Sequence, residues 1–308
     1  MPRINLSVSL LSFLFTCTLA LPAHAQALPL HTGDINDDGV RNVADTTCYV
    51  AAALANSEGL ANPACQAFSD ADTDMHCNGA INAVDVQRSL LLSLHALTAE
   101  HGSVDLDTFL STMRETEKGF LKTHYAKDIE LSSTERFETL LKALDLEDPA
   151  LVDSFVTTHM AGLREHVRML DHHPEVLTSL KERVQLAVCS NFSHVPTAEE
   201  VLESSRLADL FDVVVISEAA GFRKPHPEIF RATLADLGVA EDEVLHVGDS
   251  LKADVAGAAA LGIPTVWITR RIGDPAKALR DHGGPKPDFQ IEDLSELGGL
   301  LRKLEIGS

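Results

Sequence analysis

Between residues 183 and 293 the chain carries five short apolar runs, most of them separated by helical patterns. The runs are RVQLAVCSN (183–191), FDVVVISE (211–218), EVLHVGD (243–249), IPTVWIT (263–269) and PDFQIED (287–293). Amphipathic stretches such as HPEIFRATLADLG and ADVAGAAALG lie between them. Strands this apolar need burial on both faces, and helical connections between them enforce a parallel sheet with helices packed on it. The expected fold class is α/β, a doubly wound, Rossmann-like parallel sheet whose site lies at the carboxyl ends of the strands. Upstream, from about 104 to 180, RFETLLKALDL and LVDSFVTTHMAGLREHV repeat apolar residues at three and four, which predicts a helical cap.

Three strand ends carry polar groups. Ser190 and Asn191 close the first run, where a hydroxyl and exposed backbone N–H groups can hold phosphate oxygens. Lys224, in GFRKPHPEIF, precedes a helix starting at His226 or Pro227, so its ammonium can neutralise phosphate charge. Asp249 and Asp254 follow the third run, one at the strand end and one on the next helix's first turn, a spacing that lets both face a magnesium ion. Singly these residues read as an N-cap, a surface lysine and capping aspartates. Together and in this order they point to phosphate chemistry.

LAVCSNFS, GFRKPHPEIF and HVGDSLKADVAGA resemble the second, third and fourth motifs of the haloacid dehalogenase-like (HAD) hydrolases, and the likeness spans about 101–306, cap included. It implies that Ser190 binds the transferring phosphoryl group and that Lys224 stabilises nucleophile and phosphate, while Asp249 and Asp254 hold Mg²⁺. Most of that family are phosphatases acting through an aspartyl-phosphate. Their nucleophile lies in a D-x-D-x-T motif ending the first strand, which sits mid-sheet between the strands of the second and fourth motifs. No such motif is found here. Asp70-Ala71-Asp72-Thr73 has no apolar strand leading into it. VDLDTF (104–109) offers Asp105 and Asp107 as weak candidates, only 83 to 85 residues before Ser190, and Asp105 reads more simply as a helix N-cap. A sheet lacking its first strand would expose unpaired backbone groups. Closure of the strands, a segment such as QALPLHT (26–32), or another chain would have to fill the gap.

The amino-terminal third reads differently. Residues 1–25 have one charge, Arg3, an apolar core from about Leu10 to Leu21, and Ala23-His24-Ala25 as an A-x-A signal. This predicts a signal peptide cleaved after Ala25 and a periplasmic or secreted chain with no membrane span after cleavage. From 26 to about 100 there are ten acids against two arginines. GDINDDGVRNVADTTCYVAAAL places Asp34, Asn36, Asp38, the Val40 carbonyl, Asn42 and Asp45 as ligands around one Ca²⁺, with Gly39 at the sharp turn. A second, less regular copy offers Asp72, Asp74, Asn78, Asn82 and Asp85. This loop–helix pair, at 33–97, resembles the type I dockerins, which implies folding on Ca²⁺ and a cohesin-like partner.

The expected organisation is a signal peptide (1–25), a dockerin-like calcium domain (26–100), a helical cap (101–182) and a HAD-like core (183–308). Net charge of −21 disfavours nucleic acid and anionic membranes as partners. Cys48, Cys65 and Cys77 are close enough in sequence to include one disulfide, whereas Cys189 lies in a strand and reads as a buried thiol. The histidines at 159, 166, 172 and 173, in or beside the cap, suggest a metal site by residue type but share no clear facing positions, so they read as a solvated cap surface. Two functions fit: an exported, Mg²⁺-dependent phosphatase-type hydrolase acting on a small phosphorylated substrate, or a non-catalytic, calcium-dependent binding protein on a degenerate hydrolase scaffold.

Overall fold

The computed structural model describes residues 5–8, 83–102, 104–165, 167 and 169–306. Those within 1–16, 124–131 and 167–308 form one compact unit, and those within 17–123 and 132–166 form another.

The first unit is built on a six-stranded sheet, every ladder parallel, ordered β3-β2-β1-β4-β5-β6. Its strands are β1 (Asn5–Val8), β2 (Leu186–Ser190), β3 (Val213–Ile216), β4 (Val244–Gly248), β5 (Thr265–Ile268) and β6 (Phe289–Ile291). The last five lie inside the five apolar runs, and β2 and β4 are buried along their whole length. The sixth strand is the one the sequence reading left unfilled. Asn5–Val8 lies between β2 and β4, with Leu6 opposite Leu186 and Leu245, and Val8 opposite Val188 and Val247. The central position is thus taken by neither 26–32 nor a second chain, but by residues that read as leader. The physical reason is simple: a leader and a central strand both need an uncharged, apolar run, so composition does not separate them.

The longer helices of the chain are α1 (Ala83–Leu97), α2 (Leu106–Thr123), α3 (Ser133–Ala143), α4 (Pro149–Glu165), α5 (His173–Lys181), α6 (Val195–Ser204), α7 (Pro227–Leu237) and α8 (Leu297–Ile306). Helix α7 shows how local sequence fixes an element. His226 caps its amino end by accepting from the Glu228 N–H, Pro227 suits the first turn, and Gly238 ends it at φ +69°. Its apolar residues Ile229, Phe230, Leu234 and Leu237 pack on Ala187 and Cys189 of β2, Val215 of β3 and Val244 of β4. Each such side chain contributes about 1.5–3 kcal/mol. Cys189 is free and buried.

The second unit contains α1 to α4. Phe155 of α4 packs against Phe109 of α2 and Phe137 of α3, with centroids 6.3 and 5.5 Å apart. The buried Arg136 guanidinium donates to Glu117. Helix α1 lies so close to α4 that a Cβ on Gly162 would stand 2.2 Å from Leu90 Cδ2. Asp85 falls in the first turn of α1, whereas all the other residues expected to bind Ca²⁺, and the cysteines 48, 65 and 77, lie outside the described residues. Among the described residues no helix is long and apolar enough to cross a membrane.

His159 departs from the solvated reading. It packs edge-on to Phe137 at 5.4 Å, and burial with nearby Arg136 pushes its pKa down to about 4. The neutral ring is therefore preferred in the folded state. Its stabilising effect is complete above the ordinary value of 6.5 and is lost as pH falls from there toward 4.

Two measurements follow from this architecture. Residues 26–308 alone lack β1, and their thermal melt should lose its sharp transition or shift to self-associated species; a melt matching the full chain would mean that β2 and β4 close without it or that a segment such as 26–32 takes its place. In urea, the full chain should lose on the order of 1–3 kcal/mol between pH 6.5 and 4 through His159. His159→Phe should flatten that acid limb.

Candidate active site

The sheet's chain order reverses beside β1, where ligands bind in folds of this kind. Ser190 ends β2, Asp249 follows β4, and Lys224 lies in the loop before α7. The structure brings them to one place through a chain of buried contacts. Lys224 Nζ donates to the Cys189 carbonyl at 2.6 Å and to Asp254 Oδ1 at 2.7 Å. Asn191 fastens the same loop from the other side: its Oδ1 accepts the Lys224 N–H at 2.6 Å, and its Nδ2 donates to the Lys224 carbonyl at 2.9 Å. The Lys224–Pro225 peptide is cis.

Asp254 lies in the π-helical segment Leu251–Ala256, which runs into Gly257–Ala259. Its Oδ2 accepts the Ser250 N–H at 3.0 Å, while Oδ1 receives both Lys224 and His246 Nε2, the latter at 3.0 Å. Burial alone would raise this carboxyl, but Lys224 and His246 outweigh it and hold it far below the usual carboxylate range. Both oxygens are thus engaged by protein donors, and Asp254 fixes Lys224 from within. Gly248 makes this approach feasible, because a Cβ there would stand 2.1 Å from Asp254 Cγ.

His246 is the site residue that the motif reading missed. It is 1 % exposed, and burial holds its imidazole below the ordinary value. Because a carboxylate only accepts, Nε2 carries the proton to Asp254 and Nδ1 accepts from Ser7 Oγ of β1, 3.2 Å away. A lone histidine inside the run LHVGD was the only sequence signal for it, and its partners lie 8 and 239 residues away.

Three polar residues stand at the carboxyl ends of β2 and β4. Ser190 Oγ is fully buried, without a hydrogen-bond partner among the described residues. Asn191 is part-buried beside it. Asp249 is part-exposed at the carboxyl end of β4, its carbonyl accepting from Trp267 Nε1 at 2.8 Å. Burial pulls the Arg271 guanidinium down and the Asp249 charge opposes that shift, so the two groups sense one another. A carboxylate at the end of β4 and an orphaned hydroxyl at the end of β2 are the donor types that suit a hard ion such as Mg²⁺ and a phosphate.

Asp105 and Asp107 belong to the helical unit. Asp105 caps α2, its two oxygens accepting the Thr108 N–H at 2.9 Å and the Thr108 hydroxyl at 2.7 Å. Those bonds lower its pKa. The capping role anticipated from sequence is what the structure displays.

A doubly wound parallel sheet with a buried Lys–Asp pair at the point where its strand order reverses defines a Rossmann-like α/β class of protein. A profile of the haloacid dehalogenase-like hydrolases matches residues 105–268, a little over half the chain. The chain belongs to that family. It is 33% identical over 169 residues to a glyceraldehyde 3-phosphate phosphatase of Pyrococcus furiosus, covering 54% of this chain and 69% of that protein. It is 36% identical over 130 residues to a phosphoserine phosphatase of Thermus thermophilus, covering 41% and 49% respectively. The chain spans between about half and two thirds of the length of such curated relatives. A 2-haloacid dehalogenase of Pseudomonas syringae shares the fold at TM-score 0.55 and 22% identity, over 70% of this chain and 89% of that one.

The Lys224–Asp254 pair gives a direct test. Asp254→Asn leaves a buried ammonium without its counter-charge and should cost about 3–5 kcal/mol in urea unfolding. Adding Lys224→Met should restore part of that loss, whereas additive losses would mean that the two residues act independently.

Proposed function

We propose that this chain is a phosphatase-type domain that binds a small phosphorylated molecule together with Mg²⁺, and that its own central strand does not supply the attacking carboxylate. The observation that carries the binding half is the buried, unpartnered Ser190 hydroxyl next to the Asn191-clamped Lys224 loop. Ser190 would donate to a phosphate oxygen, and the Lys224 ammonium would offset phosphate charge. Asp249, backed by Asp254, would hold Mg²⁺, which when bound neutralises phosphate oxygens and polarises the phosphorus centre. The phosphatase relatives support a small phosphorylated substrate, with no particular one favoured.

The other half rests on β1. In the family resemblance the nucleophile ends this strand. Here Ser9 follows Val8, and no Asp or Glu occurs before Asp34. Hydrolysis by the natural chain is accordingly absent or slow, with Asp105 and Asp107 as the weak remaining candidates.

The amino-terminal readings belong to the same proposal. Spacing of Asp, Asn and Gly supports Ca²⁺ binding over 33–97 and, through the dockerin likeness, a cohesin-like partner. Leader composition supports export to the periplasm or beyond. Cleavage after Ala25 would remove Asn5–Val8 from the sheet, so a cleaved chain needs a substitute strand such as 26–32.

Aryl phosphate hydrolysis by the full chain, with Mg²⁺, tests the central point. The natural chain and Asp249→Asn should both stay near background, and the natural chain alone should bind vanadate with Mg²⁺. Ser9→Asp should create Mg²⁺-dependent turnover. Turnover in the natural chain that Asp249→Asn abolishes would overturn the proposal and locate the nucleophile elsewhere, as would a Ser9→Asp variant that still binds vanadate but gains nothing.

A further inference from the structure

Away from β4, the end of β6 meets the start of α5 at a cluster that the phosphate site does not use. Asp293, two residues past β6, is 8 % exposed and lies against two adjacent histidines. His172 Nε2 stands 2.7 Å from its Oδ1, and His173 Nε2 stands 3.6 Å from its Oδ2. One ligating atom from each residue lies within 4.8 Å of the others. The two imidazoles are nearly perpendicular, with centroids 4.7 Å apart. Such spacing puts two nitrogens and an oxygen around one point without rebuilding the backbone.

The three groups are also held in advance. Asp293 is the N-cap of the turn Leu294–Glu296, accepting from the Ser295 N–H at 2.9 Å, and Glu296 reaches back to the Asp293 N–H at 3.0 Å. His172 and His173 are fixed by the start of α5, with Pro174 in its first turn. His173 is buried and His172 is part-exposed, so the cluster has a closed side and an open one. An aqueous ion can enter from the open side and keep a water as its remaining ligand.

We propose that His172, His173 and Asp293 form a second metal site, for a borderline divalent ion such as Zn²⁺. Two imidazoles and one carboxylate suit Zn²⁺, Co²⁺, Ni²⁺ or Cu²⁺, whereas Mg²⁺ and Ca²⁺ favour all-oxygen shells. An ion bound through His172 Nε2 takes the place of the contact from that nitrogen to Asp293, with the ring proton carried on Nδ1, and it ties α5 to the end of β6. One group opposes it. Arg270 Nη1 donates to Asp293 Oδ2 at 2.9 Å and brings a positive charge beside the incoming ion. The guanidinium is part-exposed and can turn to solvent, but its presence lowers affinity. The site is therefore one that Arg270 weakens, which gives the test its sign.

The experiment is Zn²⁺ titration of the full chain by calorimetry in excess Mg²⁺ and Ca²⁺, which occupy the oxygen-rich sites, with a thermal melt beside it. The natural chain should bind one equivalent that raises its melting temperature. His172→Ala, at a part-exposed position, should melt normally without metal and lose Zn²⁺ affinity by about tenfold or more. Arg270→Ala should bind Zn²⁺ more tightly than the natural chain. Equal Zn²⁺ binding by the natural chain and His172→Ala, no binding by the natural chain, or weaker binding by Arg270→Ala would each overturn the proposal.

Discussion

The buried pair between Lys224 and Asp254 is the interaction on which the site's architecture depends. Both side chains are almost completely removed from water. An ion pair in such a place survives only when its remaining hydrogen-bonding capacity is filled. Here it is filled from four directions: the Cys189 carbonyl accepts a hydrogen bond from Lys224, and His246, the Ser250 N–H and Lys224 itself donate to the carboxylate. These partners come from β2, β4, the loop before α7 and the segment after β4. One charge pair thereby fixes the strand ends at which a phosphate would be held, and Gly248 is confined to a hydrogen side chain by the same carboxylate.

That network ends on β1. Ser7 donates to His246, so the central strand contributes backbone pairing on both sides and also one polar contact inside the core. The strand is the joint between the two halves of the doubly wound sheet, with β2 and β3 on one side and β4 to β6 on the other. It pairs along Asn5–Val8 with a strand on each side, and the sequence after it, SLLSFLF, contains no Asp or Glu. The apolar residues that let it lie mid-sheet are those that also make it read as leader.

Much of the site was legible because strand ends are legible. A buried strand in an α/β protein is a run of apolar residues, so the polar residues at its end mark the place where the chain emerges, and Ser190, Asn191 and Asp249 were singled out as candidates that way. Lys224 followed from its place before a capped helix. His246 was not found, since a histidine inside an apolar run shows its purpose only when Asp254 and Ser7 are beside it. The same holds for Asp293 with His172 and His173, residues 120 apart whose meeting depends on where β6 ends relative to α5. His159 and His173 read as solvated because a helical pattern does not reveal which neighbour covers a polar position.

Sequence by itself determined the α/β class, five of the six strands of the described sheet and the helical stretch before them. Periodicity and strand-end polarity are local properties, fixed by what a segment must bury. Tertiary structure decided what lies at the centre of the sheet and how the site's charges are matched. Both depend on contacts between residues far apart in the chain, as when Asn5–Val8 pairs with strands beginning near residues 186 and 244. No local pattern encodes such a meeting, because the energy that selects it comes from the partners' unpaired backbone and buried charge, which exist only once the rest of the sheet is in place.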